Sequence, residues 1–440
     1  MQLSQAQNKK LKNTAWASFL VLAFAQFFVQ FHRNTTGVMK DALAGTFSMS
    51  ATSFGTLSAM YFYPYMIAQI PMGILMDVIG VRMTVAVGSF IAAIGSCVFG
   101  LAGSFPVACI GRVLIGIGVS VPVICTQKLV AAWFSETKVA SVFSISSVFA
   151  QCGALAAQYP LALAIDYIPW RVVFFGGAAL SIILGICCLL FVKNSPEAIG
   201  LPSMAKIEGR PEPEKTKNDV KTILRAIGKT FSNKYIWPVF VVMAVHQGLF
   251  SMFSSTWAIP YLKESFGYSN TQATAFTTGM MITSIVFAFC IGSVSDRLKS
   301  RKKVIIGISL ILLLLWCFFC FSAKADLPVW LLWAAMLIMG VGGCGTQIML
   351  NYSREVNNPL YIGISLSVVN VVGMAASSVM PTILGVLLDK YAIRFSGGAL
   401  YQKAFFPCVI IAAVGVLFSF GIKDTGCRNR YLEFFREDVR

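Results

Sequence analysis

Charge is what this sequence has least of. Only 12% of its 440 residues are Asp, Glu, Lys or Arg, and 57% are hydrophobic. Soluble globular chains carry about a quarter charged residues, so a water-soluble globular fold is excluded. Histidine is rarer still, with two residues, and no cluster shows metal-ligand spacing. A glycine-rich nucleotide loop and a nucleophile–base set are both absent, which excludes an enzyme and calls for no cofactor. The period-two alternation that a β-barrel needs is missing too. Twelve cysteines are present, but nearly all lie within apolar runs, as Cys187, Cys188, Cys317 and Cys320 do, and read as small packing residues.

What is there is a series of long apolar runs separated by short charged or Pro/Gly-bearing breaks. About 20 apolar residues span a bilayer as a helix, and in lipid only helices and closed barrels satisfy the backbone. The runs predict spans at 15–33, 53–76, 83–103, 106–132, 139–165, 171–192, 235–257, 271–293, 303–322, 328–350, 361–387 and 404–422. The first follows Lys9, Lys10 and Lys12 but is not trailed by a small-residue cleavage site, so it reads as a retained helix rather than a signal peptide. The expected fold is an all-α membrane protein of twelve transmembrane helices in two six-helix bundles.

The net charge of +17 would suit a nucleic-acid surface, but the positions of the charges exclude that partner. With the N-terminus placed inside, twenty-five of the thirty-five basic residues fall in inside segments and seven in outside ones. Cytoplasmic loops are enriched in Lys and Arg. The expected location is therefore the cell inner membrane, with both termini cytoplasmic.

One long polar stretch divides the spans six and six. It carries Pro196, Pro202, Pro211 and Pro213 with mixed charges from Glu208 to Lys215, and a surface helix is expected around 219–230. The domains are then an N-terminal bundle, 1–192, a cytoplasmic linker, 193–234, and a C-terminal bundle with its tail, 235–440. The halves echo one another. Gly73-Ile-Leu-Met-Asp77 follows the second span and Gly292-Ser-Val-Ser-Asp296 the eighth, an offset of 219. Pro160 before Asp166 and Pro381 before Asp389 repeat at an offset near 220. Parallel six-span repeats place a substrate site near the bilayer midplane.

With these motifs on the page, the sequence resembles the major facilitator superfamily over nearly its whole length. The family signature G-x-x-x-D-x-x-G-R-[RK] stands here as Gly73-Ile-Leu-Met-Asp77-Val-Ile-Gly80-Val-Arg82, with the arginine displaced by one. Gly111-Arg112-Val-Leu-Ile-Gly116-Ile-Gly118 is similar to the family's R-x-x-x-G-x-G pattern. The resemblance implies gating roles for Gly73, Asp77, Gly80, Arg82, Arg112, Asp296 and Arg297. Asp77 is expected to accept hydrogen bonds from a helix N-terminus and from Arg82. Within the superfamily the likeness is to organophosphate antiporters and anion:cation symporters of the hexuronate type. It rests on His32-Arg33, Gln69-Ile70-Pro71-Met72-Gly73, Lys128 with Trp133-Phe134, Trp170-Arg171 and Trp257-Ala-Ile-Pro260-Tyr261-Leu262.

A charge in the hydrocarbon costs about 2.5–3.5 kcal/mol on insertion scales, so each needs a reason. Three basic residues fall inside spans, Arg33, Arg112 and Lys128, and no Asp or Glu lies well inside any. Such an interior attracts an anion, and arginine's planar fork suits carboxylate or phosphate. Arg33 stands where the resemblance places a substrate-binding arginine, although a residue so near a helix end can also snorkel. Arg112 is expected to support packing or coupling, as at the matching family position. Lys128 belongs either to an inner anion path or to the headgroups. The phosphate antiporters carry a second arginine where this chain has Ser251, and lysine where it has Gln69. That departure favours a carboxylate-bearing or larger zwitterionic solute over a simple phosphate ester.

Tyr61 and Tyr65, four apart, share a helix face. With Gln69, Gln151, His246, Gln247, Gln347 and Asn370 they complete the candidate binding set, although such residues also serve as interhelical glue. His32 and His246 are the groups that titrate near neutrality and the candidates for proton coupling, unless the substrate's own charge supplies it. The functional expectation is a secondary active transporter importing a small organic anion by proton symport or exchange. Sugar acids, other carboxylates, phosphorylated metabolites and carboxylate siderophores all fit. Its partners would be that anion, protons or a counter-anion, and the lipid bilayer, and the chain would act as a monomer. A drug exporter is disfavoured because the fifth span, Cys152-Gly153-Ala-Leu-Ala-Ala-Gln158-Tyr159-Pro160, lacks the antiporter motif G-x-x-x-G-P-x-x-G-G. A non-transporting sensor is the third reading, disfavoured by the intact gating motifs.

Overall fold

Hydrocarbon leaves each backbone N–H and C=O to find its partner within its own segment, and α-helix is the local solution. The computed structural model describes residues 4–208, 220–322, 327–357, 362–431 and 433, and no strand occurs among them. In chain order the helices are α1 (Gln5–Val38), α2 (Lys40–Phe47), α3 (Ala51–Leu101), α4 (Phe105–Gly118), α5 (Pro122–Trp133), α6 (Glu136–Ala156), α7 (Tyr159–Ile165) and α8 (Trp170–Phe191). After the short α9 (Met204–Ile207) come α10 (Val220–Ser232), α11 (Trp237–Met252), a π turn (Phe253–Trp257), α12 (Ala258–Phe266) and α13 (Asn270–Leu298). Then follow α14 (Arg301–Ser322), α15 (Val329–Val356), α16 (Ile362–Ala392) and α17 (Gly397–Phe420).

Eleven segments among the described residues are long and apolar enough to cross a membrane, against twelve expected. The difference lies in α3. The helices expected at 53–76 and 83–103 adjoin across a kink within this stretch of 51 residues, of which Pro71–Leu101 is among the eleven. At 1.5 Å per residue that stretch is about 75 Å long, more than twice the roughly 30 Å hydrocarbon core. It is interrupted at Gly80, whose φ of 82° and ψ of 166° are not helical. Prolines divide other runs. The expected fourth span is α4 plus α5, which opens at Pro122, and the fifth is α6 plus α7, with Pro160 in the first turn of α7. α1 begins ten residues before its apolar run, because Ser4 and Gln7 form a capping box that extends the helix through the lysines.

The chain forms two compact units, Met1–Ser48 with Met60–Thr216, and Met49–Ala59 with Lys217–Arg440. The first is cored by Phe19, Leu22, Val85, Leu129, Trp133 and Cys188, the second by Val239, Met243, Ile305, Ile348, Tyr352 and Ile422. In the expected linker α10 takes the place of the surface helix, and the Thr230 hydroxyl meets that of Ser365 at 2.9 Å in a buried contact with α16. Residues 209–219 of that linker, with Arg210, Pro211, Glu212, Pro213, Glu214 and Lys215, lie outside the described residues.

The 219-residue repeat is written into the backbone. Gly80 and Lys299 are 219 apart and both have positive φ, 82° and 49°. Asp77 and Asp296 stand three residues before these turns, and Arg82 and Arg301 two residues after. At Gly80 the conformation lies in a region essentially reserved for glycine, and an added Cβ would sit 2.3 Å from Asn194 Nδ2. That amide is committed, since Asn194 Oδ1 accepts from the Arg82 N–H at 2.9 Å and caps the returning half of α3. Nothing lies within 4 Å of a Cβ built on Gly73. Gly80→Ala is therefore expected to destabilise the protein by about 1–3 kcal/mol, read as a lower thermal-unfolding midpoint in detergent. Gly73→Ala leaves the midpoint where it was.

Candidate functional site

In the first unit the sequence-predicted residues of α1, α3 and α4 come together. Arg112 on α4 is 1% exposed, and its Nη1 donates to the His32 carbonyl at 3.0 Å while Nη2 bonds the Thr36 hydroxyl. Its guanidinium also lies 5.4 Å from the Tyr61 ring centre. Tyr61 turns its hydroxyl to the Val29 carbonyl at 2.8 Å and stacks on Tyr65 at 5.9 Å. Arg33, half-buried, sits over the Phe62 ring at 5.0 Å, within electrostatic range of both tyrosines. Gln69 bonds the Tyr65 side chain. Arg33, Tyr61, Tyr65 and Gln69 thus form one aromatic-walled cationic cluster. A guanidinium on such a wall presents the planar fork whose geometry suits a carboxylate or phosphate.

Gln151 is half-buried on α6. The His32 backbone carbonyl is the acceptor for Arg112. The His32 ring packs among Phe28, Phe31 and Phe174, with centroids 5.9–6.4 Å apart, and neither nitrogen has a hydrogen-bond partner among the described residues.

In the second unit, Gln247 Oε1 accepts from the Thr346 hydroxyl at 2.6 Å, and the Ser377 hydroxyl reaches the Gln247 carbonyl at 3.4 Å. This ties α11 to α15 and α16. Gln347 is exposed and Asn370 half-buried. His246 is fully buried against α14, with Nε2 2.9 Å from the Ser309 hydroxyl. Ser251, where the phosphate antiporters carry an arginine, is buried and accepts from the Ser255 hydroxyl at 2.5 Å across the π turn.

The charged loops differ from expectation in their partners. Asp77 pairs with Lys128 at 2.5 Å, not with Arg82. Arg82 instead bonds the Leu189 carbonyl and, through its N–H, Asn194. In the second unit Asp296 pairs with Arg301 at 2.9 Å, while Arg297 is exposed. Arg301 Nε also meets Glu355 Oε1 at 3.0 Å, and Glu355 Oε2 accepts from Thr425. Sequence reasoning missed Asn194, Arg301 and Glu355. The repeat itself held the signal for Arg301, which lies 219 residues beyond Arg82. Magnitudes separate the two loops. Asp77 and Lys128 are 59% and 43% exposed, and such pairs contribute about 0–1 kcal/mol. Arg301 and Glu355 are 9% and 10% exposed, and removing one member of a buried pair costs about 3–5 kcal/mol. The first contact is cheap to break and the second is a fixture.

The comparisons with known proteins agree with this architecture. The family model described as Major Facilitator Superfamily matches residues 22–381 and 239–426. A probable hexose phosphate transport protein of Chlamydia muridarum is 22% identical over 76% of this chain and 75% of its own. The glycerol-3-phosphate transporter of Bacillus subtilis is 24% identical over 58% of this chain and 59% of its own. Among solved structures, a bacterial homologue of the human lysosomal transporter Spinster superposes with a TM-score of 0.73 at 16% identity. That likeness covers 93% of this chain and 97% of that one. These relatives are transporters rather than enzymes. The chain belongs to the Major Facilitator Superfamily and is a multi-pass membrane transporter that resembles its organophosphate and anion branch.

Proposed function

We propose that this protein is a secondary active transporter that moves a small organic anion across the cell inner membrane by alternating access. The observation that carries this reading is the setting of Arg33. Arg33 is half-buried on an aromatic wall with Tyr61 and Tyr65 beside it, the setting in which a carboxylate or phosphate gains charge-assisted bonds. Gln69 and Gln151, in the same unit as Arg33, supply neutral polar contacts to the rest of the solute. Ser251, where a second arginine would stand, is a buried serine and supplies no second guanidinium. A carboxylate, sugar acid or carboxylate siderophore suits that better than a clamped phosphate ester. Import by proton symport or exchange, a monomer, and both termini in the cytoplasm complete the reading.

Uptake into proteoliposomes from a panel of carboxylates, sugar acids and phosphorylated metabolites tests it. Arg33→Ala is expected to weaken apparent affinity for the identified anion about 10- to 100-fold, the worth of a hydrogen bond to a charged group. Arg33→Lys, which keeps the charge without the fork, falls between. Wild-type uptake by Arg33→Ala would sink the anion site, and competition by cationic dyes but not anions would replace it with export.

The same vesicles locate the coupling proton. His246 is held by Ser309 in a fully buried position, and His32 is enclosed by aromatic rings. His246→Gln, which keeps a partner for Ser309, is expected to retain its response to an imposed pH gradient. A variant that still exchanges anion but ignores the gradient would place the proton on His246.

A further inference from the structure

The start of α3 groups with a different unit from the rest of that helix. Residues Met49–Ala59 belong to the second unit, whereas the chain from Met60 onward belongs to the first. What holds the segment is a carboxylate more than 330 residues away. The N–H groups of Ala51 and Thr52 donate to Oδ1 and Oδ2 of Asp389 at 2.9 and 2.8 Å. The Ser53 N–H goes to the Ser50 hydroxyl at 3.2 Å. Orphan donors of a helix N-terminus carry partial positive charge, and an anionic cap is the strongest neutralisation available to them.

The surrounding surface is shaped for this contact. A Cβ on Gly55 would lie 2.3 Å from the Pro381 carbonyl oxygen, and one on Gly385 would lie 2.4 Å from that of Ala51. Glycine on both sides lets the two backbones touch. Trp257 Nε1 donates to the same Pro381 carbonyl at 3.1 Å and meets the Phe54 ring edge-on at 5.4 Å.

The second repeat is built otherwise. Ser269, 219 residues beyond Ser50, opens α13 with a self-contained capping box through Gln272. The residue three after Ser50 is Ser53, so α3 forms no such box. One helix start caps itself and the other borrows a charge from α16. The boundary between units also falls at a weak point. Pro64 lies inside α3, and its missing N–H leaves the Met60 carbonyl, the first residue of the other unit, without its helical donor.

We infer that Asp389 is a conformational latch. It docks the start of α3 onto α16 in the state seen here, and α3 leaves the latch by bending between Met60 and Pro64 as the units move through the transport cycle. The inference goes beyond the anion reading and holds whatever the solute is.

Hydrogen–deuterium exchange on the full chain in detergent micelles tests it without substrate. In Asp389→Ala the amides of residues 51–55 are expected to exchange at least about tenfold faster, the equivalent of one lost charge-assisted bond, with α14 and α15 unchanged. Asp389→Asn, which keeps one acceptor oxygen, gives an intermediate rate. Gly385→Ala, which keeps the carboxylate but drives a Cβ into the Ala51 carbonyl, accelerates the same amides. Pro64→Ala, which restores the Met60 bond, slows them. Wild-type exchange at 51–55 in Asp389→Ala and Gly385→Ala would overturn the latch, as would acceleration spread evenly over α14 and α15. An unchanged rate in Pro64→Ala would remove the hinge.

Discussion

A guanidinium carried into hydrocarbon has to be given partners, and the kind of partner decides what the residue can do. Arg112 receives a backbone carbonyl and a hydroxyl from α1, and with both spent it acts as a strut. The strut matters because of where it lands. Arg112 holds α1 at His32 and Thr36, and the Tyr61 hydroxyl holds it at Val29. Residues 29, 32 and 36 lie along one stripe of the helix, so three polar bonds fix its rotation. Arg33, next in sequence to one of them, is placed by that rotation on the wall of Phe62 and the two tyrosines. The candidate binding cation owes its position to the fully buried one beside it.

The same logic separates the two repeats. Each carries an aspartate, a positive-φ turn and an arginine at one fixed spacing, so the two loops share a backbone. Their charge partners diverge. In the first repeat the aspartate meets a lysine in an exposed setting, where water competes and little energy is held. In the second, Arg301 bridges Asp296 and a buried Glu355, and the chain after α17 adds Thr425 to that glutamate and Asp424 to Ser300. Both halves carry the same loop, and different burial makes one contact fixed and the other reversible.

How much of this was legible in the sequence follows from the range of each interaction. Helix type came from apolar run length, a local property, and the runs expected at 53–76 and 83–103 are parted by the non-helical Gly80. The positions of Gly80 and Asp77 were visible as a motif. The partner of Asp77 was not, because Lys128 is 51 residues away and nothing local marks the pair. Arg297 was named where Arg301 carries the contact, since adjacency to Asp296 outweighed the repeat offset. Glu355 lies just beyond the expected span 328–350, and only its burial against Arg301 gives it meaning. The cluster of Arg33, Tyr61 and Tyr65 was assembled from residue type and helical spacing, but the enclosure of His32 and His246 could not be read from composition, because it depends on which face of each helix meets its neighbours.

The distribution of bonds along α3 gives the helix its mechanical character. At its start the first two N–H groups are held by the Asp389 carboxylate. Toward Gly80, Asp77 is held by Lys128, and beyond the glycine Asn194 caps the returning half. Between these anchored ends lie Pro64 and Pro71, which leave the carbonyls of Met60 and Ile67 without helical donors. The eight residues from Met60 to Ile67 include Tyr61, Phe62 and Tyr65, the wall on which Arg33 sits. The stiffness of the helix is therefore at its ends and its softness at the candidate site. A small bend there would displace the aromatic wall while each anchored end kept its own bonds, which couples the shape of the site to the state of the helix without a separate relay.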